Sequence, residues 1–367
     1  MVIFEIALLV ILMTSQDLFG VEEALGKIDQ VKSQVTIQRS DGQELPAKVG
    51  VLVYPGDQIT TGKEGMLSFS VREGRQFRLG EYAQLSVDEL SAAEVEDGQP
   101  ILRLVLGYLW SKVSKYRGKP FDLGVHTPTA VLGVRGTEFD TVVSLDGTSV
   151  ITVDEGQVEV EAKDEKILLE KDQMSQVEMA AKPMPPVGAV PREKRDWPAW
   201  RKERVKRLFK NLPQMAPRFR GRFEKAVERF RDFNAKMEAS SAQLNRSMEN
   251  VREAKRDRDR QRFVQSVRHL REQIERFKKM IARFRGGLNR VRVMGGFSLR
   301  VETFVSRNKE RFIPQELSLI QSDLKIIAQK RVELKETAQR TISTIRGTFR
   351  GLRELREEIR RERGARS

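Results

Sequence analysis

Residues 149–161 have the sequence SVITVDEGQVEVE, in which two runs of alternating apolar and polar residues flank the pair Glu155-Gly156. A period of two is typical of a β-strand that buries one face. Glycine accepts positive φ without a Cβ clash, so Glu-Gly between such runs is a hairpin signal. The stretch therefore predicts an antiparallel hairpin and sets the fold class of the first half of the chain.

The pattern continues on both sides of this hairpin, with turn residues after roughly every eight to twelve positions. The further predicted strands are Val31–Gln38, Met66–Val71, Phe77–Leu79, Gln84–Val87, Ile101–Val113, Val125–Val134, Thr137–Ser144 and Lys166–Leu169. Short strands at this spacing predict an all-β sandwich or roll over residues 25–180.

Several motifs follow one another along this region. They are residues 56–62 (GDQITTG), residues 67–79 with a central Glu73-Gly74 turn, residues 127–139 (TPTAVLGVRGTEF) and residues 153–160 (VDEGQVEV). Together they resemble the FecR domain family, the periplasmic part of ferric-citrate-type signalling regulators. The resemblance covers roughly residues 45–180, and it implies a β-rich extracytoplasmic domain used in sensing or binding rather than catalysis.

The residues that carry this resemblance have either a structural or a ligand-binding role. They are Gly56, Asp57, Thr61, Gly62, Gly74, Thr127, Pro128, Arg135, Gly136, Thr137, Phe139 and Gly156. Pro55-Gly56-Asp57 predicts a tight turn, because proline presets φ and aspartate accepts bonds from backbone amides. We expect Arg135 to be a buried structural arginine or part of a ligand site.

Catalytic chemistry finds little support in the sequence. Glu138 and Asp140 share one face of a predicted strand, where we expect ordinary solvated carboxylates. No nucleophile with a partner base can be named. The chain has no cysteine and two histidines, His126 and His269, which excludes disulfides and thiolate metal sites. We therefore expect a non-enzymatic protein without a catalytic, cofactor or metal site.

The first 24 residues predict a secretory signal, because Val2–Met13 is apolar apart from Glu5 and too short to span a bilayer. The basic n-region is missing. A wrongly chosen start codon, an uncleaved amphipathic anchor and a buried N-terminal strand are therefore alternatives. The sigma-factor-binding segment and membrane span of the signalling regulators are not recognised here, so we carry over the module and not the iron-citrate role.

Charge divides the chain into two parts. Residues 1–191 hold 18 Lys or Arg and 29 Asp or Glu, whereas residues 192–367 hold 49 and 23, and the whole chain has a net charge of +15. A basic half attracts anionic partners such as lipid, envelope polymer or nucleic acid. The acidic β region of the same molecule is a further candidate.

Residues 181–198 are rich in proline and predict an extended linker. The following residues interleave aromatic and basic side chains, as helices on anionic membranes do. Candidate contacts to an anionic surface are Trp197, Trp200, Arg201, Lys202, Arg204, Lys206 and Arg207. Docking of Trp200, Val205, Leu208 and Phe209 on a neighbouring domain is the favoured interpretation of this stretch.

Residues 199–367 predict long helices. A heptad stripe of apolar residues occupies positions 263, 267, 270, 274, 277, 281, 284, 288 and 291. A second heptad stripe runs from Leu317 to Ile359. A phase break across Arg256–Arg262 indicates a stutter or a loop. Gly295-Gly296 and Pro314 are expected to separate the later helices. An intramolecular antiparallel bundle is favoured, with homodimerisation as the alternative.

We thus expect an α+β protein with its β and α parts in separate domains: a FecR-like domain for binding, sensing or scaffolding in the cell envelope, and a basic helical region for assembly or anchoring. The expected partner is an envelope protein or an anionic envelope polymer or lipid. A cytoplasmic nucleic-acid-associated protein is the alternative. Acidic residues alternate with the basic ones between Arg252 and Arg262, which disfavours nucleic acid.

Overall fold

The computed structural model describes residues 24–71, 74–88, 90, 100–113 and 122–364. Almost all of the predicted signal segment lies outside these ranges. Within them, a β-rich region is followed by three long helices, which confirms the predicted fold class.

Seventeen strands lie within the described residues. They are β1 Gly26–Lys32, β2 Val35–Gln38, β3 Glu44–Pro46, β4 Leu52–Val53, β5 Gln58–Thr61, β6 Met66–Val71, β7 Arg75–Leu79, β8 Gln84–Val87, β9 Ile101–Val113, β10 Asp122–His126, β11 Val131–Arg135, β12 Glu138–Val143, β13 Ser149–Glu155, β14 Gln157–Ala162, β15 Glu165–Glu170, β16 Gln173–Val177 and β17 Val187–Gly188. Strands β6, β8 and β9 have the predicted bounds.

The strands form two sheets that share β9. Sheet A has the order β4-β1-β6-β7-β9-β12-β13-β16-β17, and sheet B has the order β3-β2-β5-β8-β9-β10-β11-β14-β15. All pairs are antiparallel except β9 with β10. Strand β9 passes between the sheets at Gly107, where φ is +98° and a Cβ would lie 2.4 Å from Ala83 Cα. Only glycine fits this crossing.

The predicted hairpin at Glu155-Gly156 is wrong in one respect. Strand β13 belongs to sheet A and pairs with β12 and β16, whereas β14 belongs to sheet B and pairs with β11 and β15. The turn therefore carries the chain from one sheet to the other. Alternation is preserved because Ile151 and Val153 from one sheet and Val158 and Val160 from the other all enter the same core.

The three helices are α1 Trp197–Arg256, α2 Arg260–Arg307 and α3 Pro314–Gly364. Short 3-10 helices cover Arg192–Lys194 and Lys309–Arg311. Helices α1 and α2 are antiparallel, because the ring of Phe219 packs on Phe297 and that of Phe230 on Phe284. Helix α3 runs parallel to α1, since Arg220 pairs with Asp323 and Arg231 with Glu333.

Both predicted heptad stripes are largely buried in the bundle core. The phase break falls on the turn between α1 and α2, where the Asp259 carboxylate accepts a bond of 2.9 Å from Arg262 N. Gly295-Gly296 does not separate two helices, contrary to prediction, but lies inside α2. A Cβ on Gly296 would lie 3.1 Å from Val105 of β9, and one on Gly295 would lie 3.3 Å from Arg331 of α3. These glycines allow close packing instead of a break.

The segment predicted as a linker lies against the β region. Val187 and Gly188 pair with β16, and Ala189 N donates to Asp172 O at 2.8 Å. Helix α1 then starts at Trp197, capped by the Asp196 carboxylate. Within the described ranges, no helix has the length and apolarity needed to cross a membrane.

Candidate functional site

The first group of motif residues fixes turns of the β region. Gly56 has φ +88°, and the buried Asp57 carboxylate accepts a bond of 2.7 Å from Tyr54 N and pairs with Arg39. The Thr61 hydroxyl donates to Gly80 O at 2.6 Å and accepts from Ala83 N at 2.8 Å. These bonds join the β5–β6 and β7–β8 connections, each of which crosses between the sheets.

A second pair of crossings has the same arrangement. Gly136 links β11 to β12 and Gly156 links β13 to β14, and a Cβ on Gly156 would lie 2.6 Å from Gly136 O. The Thr137 hydroxyl donates to Gln157 O at 2.8 Å, and Phe139 is buried in the core beside this corner. The motif residues thus lie where two connections between the sheets are adjacent and are joined by hydrogen bonds.

The Thr127-Pro128-Thr129 turn is buried under the helices. Ala130 N donates to the Thr127 hydroxyl at 2.9 Å, and the Ser149 hydroxyl donates to it at 2.9 Å. The Arg222 guanidinium of α1 donates to Thr129 O at 3.0 Å. This part of the motif is therefore covered by the basic half of the same chain.

For two motif residues, Gly74 and Arg135, only the backbone is described. Gly74 follows the β6 strand with φ +78° at the start of β7. Arg135 ends β11, and its side chain lies outside the described residues. Within the described ranges, no three His, Asp or Glu side chains are grouped for metal binding.

A charge cluster joins the proline-rich segment to sheet A. The Arg195 guanidinium donates to Asp140 at 2.8 Å and to Asp154 at 2.6 Å, and Arg192 pairs with Glu138 at 2.6 Å. Asp140 is 1% exposed, so the expectation that it is a solvated carboxylate is wrong. The reason is its long-range partner Arg195, which lies 55 residues further along the chain.

The cluster changes the acidity of its members. Burial, together with the adjacent Asp140 carboxylate that accepts the Tyr108 hydroxyl at 2.8 Å, raises the pKa of Tyr108. Burial tends to raise the pKa of Glu138, but hydrogen bonds from Arg192 and Lys112 outweigh it and lower that pKa. The cluster therefore keeps Tyr108 neutral and Glu138 charged near neutral pH, which is the state that its ion pairs need.

A second set of buried polar contacts joins sheet B to α2. The Arg285 guanidinium contacts the Asp88 carboxylate at 2.7 Å, and Arg103 of β9 donates to Asn289 Oδ1 at 2.8 Å. Arg103 also donates to Val87 O at 2.9 Å. We refer to the contacts of Asp88, Arg285, Arg103 and Asn289 as the seam. Sequence reasoning missed it, although Arg285 and Asn289 have the one-turn spacing of a second helix face.

The seven candidate surface contacts divide into three sets. Arg201 donates to Glu81 O at 3.0 Å, and Arg204 donates to Asp146 at 2.7 Å, so both face the β region. Trp197 and Trp200 pack edge to face with their ring centroids 6.2 Å apart. The remaining three cations are exposed, and they are Lys202, Lys206 and Arg207.

These features define a β domain with hydrogen-bonded turns that buried ion pairs fix to a helical bundle. Residues 57–159 match the family model described as FecR protein, which confirms the predicted resemblance. The β region therefore contains a FecR domain. FecR proteins are regulatory or sensing proteins of the cell envelope. No curated protein matches the chain significantly.

Solved structures match parts of the chain. Two crystal structures of a candidate anti-sigma factor from Parabacteroides distasonis ATCC 8503 match with 17% identity and TM-scores of 0.31 and 0.30. Each match covers 36% of this chain and 59% of that chain. A cell surface anchoring domain matches with 27% identity over 17% of this chain and 82% of that chain, with a TM-score of 0.17. TM-scores this low do not indicate a shared overall fold.

Proposed function

We propose that this chain is an exported, non-enzymatic protein of the cell envelope, in which the FecR domain binds or senses and the basic bundle assembles or anchors the molecule. The observation that carries the proposal is the FecR domain itself, fixed by its buried seam to a bundle that holds most of the positive charge. The family supplies the regulatory class, and the bundle supplies a second surface.

The exposed cations Lys202, Lys206 and Arg207 support the anchoring half of the proposal. They lie on the first turns of α1, close to Trp197 and Trp200, and Arg201 and Arg204 are engaged with the β region. Lys and Arg near an anionic lipid surface each contribute about 1 kcal/mol to binding. The anionic polymer or lipid of the envelope is the partner that this arrangement suits.

Nucleic acid is less well supported, because three arginines of the densest basic cluster pair with three different carboxylates, whereas Lys206 and Arg207 share the single Glu203. Arg252 contacts Glu358 at 3.2 Å, Arg256 contacts Glu249 at 2.9 Å, and Arg262 contacts Asp257 at 2.7 Å. Binding to phosphates requires these charges to leave their carboxylate partners. The cluster therefore offers less free positive charge than its composition suggests.

Cell fractionation with N-terminal sequencing tests the proposal. We expect the protein outside the cytoplasm, shortened by roughly 20 residues as signal peptides of that length predict. Washing the envelope fraction with salt should release the triple variant Lys202→Gln, Lys206→Gln, Arg207→Gln at lower ionic strength than wild type. The control Arg218→Gln, Lys225→Gln, Arg246→Gln removes three exposed charges elsewhere on α1 and should behave as wild type. Full-length protein in the cytosol would overturn the proposal.

A further inference from the structure

A cleft of about 720 Å³ lies between sheet B and the helices α2 and α3. Its floor is formed by strands β2, β5, β8 and β9, and its walls come from the two helices. Pockets for small molecules have volumes of this order, about 300 to 1,000 Å³. The volume is therefore sufficient for a ligand of two or three sugar rings.

The floor is a row of polar residues in register across four strands. Gln38 is opposite Gln58, Gln58 is opposite Ser86, and Ser86 is opposite Arg103. Residues opposite one another point to the same face of a sheet, and all four line the cleft. Amide and hydroxyl groups both donate and accept hydrogen bonds, as sugar hydroxyls do. The row therefore suits a ligand that carries several hydroxyl groups.

The walls give the cleft a positive character. Six of its lining residues are Lys or Arg and one, Asp41, is a carboxylate. Arg39 pairs with Asp57 and Arg331 with Glu302, and Arg103 is bonded in the seam, whereas Lys335 and Arg346 of α3 are exposed at the cleft. Guanidinium groups bind carboxylate and phosphate through paired hydrogen bonds. The cleft therefore favours a ligand with an acidic group near the helices.

We propose that this cleft binds a hydroxyl-rich anion, namely a carboxylated or phosphorylated saccharide. The Gln38–Gln58–Ser86 floor bonds its hydroxyl groups, and Lys335 and Arg346 of α3 bind its acidic group. Leu299 of α2 and Val332 of α3, which are 45% and 61% exposed, provide an apolar wall for the ring carbons. This site would be the binding half of the proposed function, on which the inference rests for its biological role. Binding by purified protein is independent of export, so the failure of one idea is distinguishable from the failure of the other.

Isothermal titration calorimetry of the full chain at low salt tests the site with three probes. Trigalacturonate carries carboxylates, glucose 6-phosphate carries a phosphate, and maltotriose is neutral. We expect heat of binding with at least one acidic probe and none with maltotriose, and the acidic probe that binds identifies the acid group. Maltotriose binding as tightly as the acidic probes, or no binding by either acidic probe, would overturn the proposal.

Matched variants separate the cleft from general charge. Lys335→Gln with Arg346→Gln removes two exposed cations from the cleft mouth, and Arg340→Gln with Arg350→Gln removes two from the same helix outside it. We expect the dissociation constant of the acidic probe to rise about tenfold in the first pair and to stay unchanged in the second. Gln58→Leu should also weaken binding without altering net charge. Equal losses in both pairs would show nonspecific attraction and refute the site.

Discussion

Two regions of this protein each contain an ion pair between an arginine and a carboxylate, one buried and one exposed. At the seam, the side chains of Arg285 and Asp88 are 6% and 0% exposed, whereas at the far end of the bundle those of Arg252 and Glu358 are 28% and 46% exposed. Charges removed from water must be matched closely, while exposed charges are screened by solvent. The difference shows that an arginine of the helices joins the bundle to the β region in one place and lies at the solvent-exposed surface in another.

The largest expected effect comes from breaking the seam. Arg285→Leu removes the guanidinium that contacts the fully buried Asp88, and such losses cost about 3 to 5 kcal/mol. Tryptophan fluorescence reports the β region and the start of α1, and circular dichroism at 222 nm reports the helices. In urea, we expect the fluorescence midpoint to fall below the circular dichroism midpoint. Lysine in place of Arg285 keeps the charge and should recover part of the loss. Coincident, unshifted transitions in Arg285→Leu would contradict a docking role.

A second prediction concerns His126, which lies beside the seam. Burial, with the charges of Arg290, Arg103 and Arg285, lowers its pKa to about 3. The folded state therefore keeps His126 neutral, while the unfolded chain takes up a proton below about pH 6.5. Stability from this group is complete above pH 6.5 and falls as pH drops towards 3. The loss is about 2 kcal/mol between pH 6.5 and 4.5, because the slope reaches about 1.4 kcal/mol per pH unit only below the pKa of the unfolded chain.

The His126→Gln variant isolates that contribution. Its free energy of unfolding, measured in urea at pH 7.5 and pH 4.5, should change less with pH than that of wild type. The difference between the two proteins removes the contribution of the carboxylates, which titrate in both. Parallel pH profiles would mean that His126 has the same pKa in the folded protein as in the unfolded chain, which would contradict the prediction.

The smallest expected effect is at the far end of the bundle. Arg252→Ala breaks a partly exposed pair with Glu358 and should cost less than about 1 kcal/mol. Raising the salt concentration should reduce this difference further, because exposed pairs are screened. A loss as large as that of Arg285→Leu would erase the distinction between the two regions.

Sequence periodicity predicted the elements well, because local burial determines it. The bounds of β6, β8 and β9 and the apolar heptad stripes of the helices followed from spacing alone. The sheet crossings did not, since Glu155-Gly156 has the composition of a hairpin turn and only the partners of β13 and β14 reveal that it joins two sheets. The burial of Asp140 was not predicted either, because a carboxylate in a strand is usually exposed and its partner Arg195 is distant in sequence.

The candidate site was only partly accessible from the sequence for the same reason. The FecR motif identified the domain and its turns, but Asp88 and Arg285 are 197 residues apart and belong to no shared pattern. Nor did the sequence indicate that Gln38, Gln58, Ser86 and Arg103 stand in one row, because register between strands is set by the whole sheet.

The length of α2 beyond the seam makes the bundle a lever. From Asn289 to the turn before Arg260, the helix extends about 40 Å at 1.5 Å per residue. A tilt of about 5° at the seam displaces the far end by about 4 Å, the width of a side-chain contact, over this length. The cleft lies next to this pivot, so a change of a few degrees in the angle between sheet B and α2 gives its largest displacement at the exposed end of the bundle.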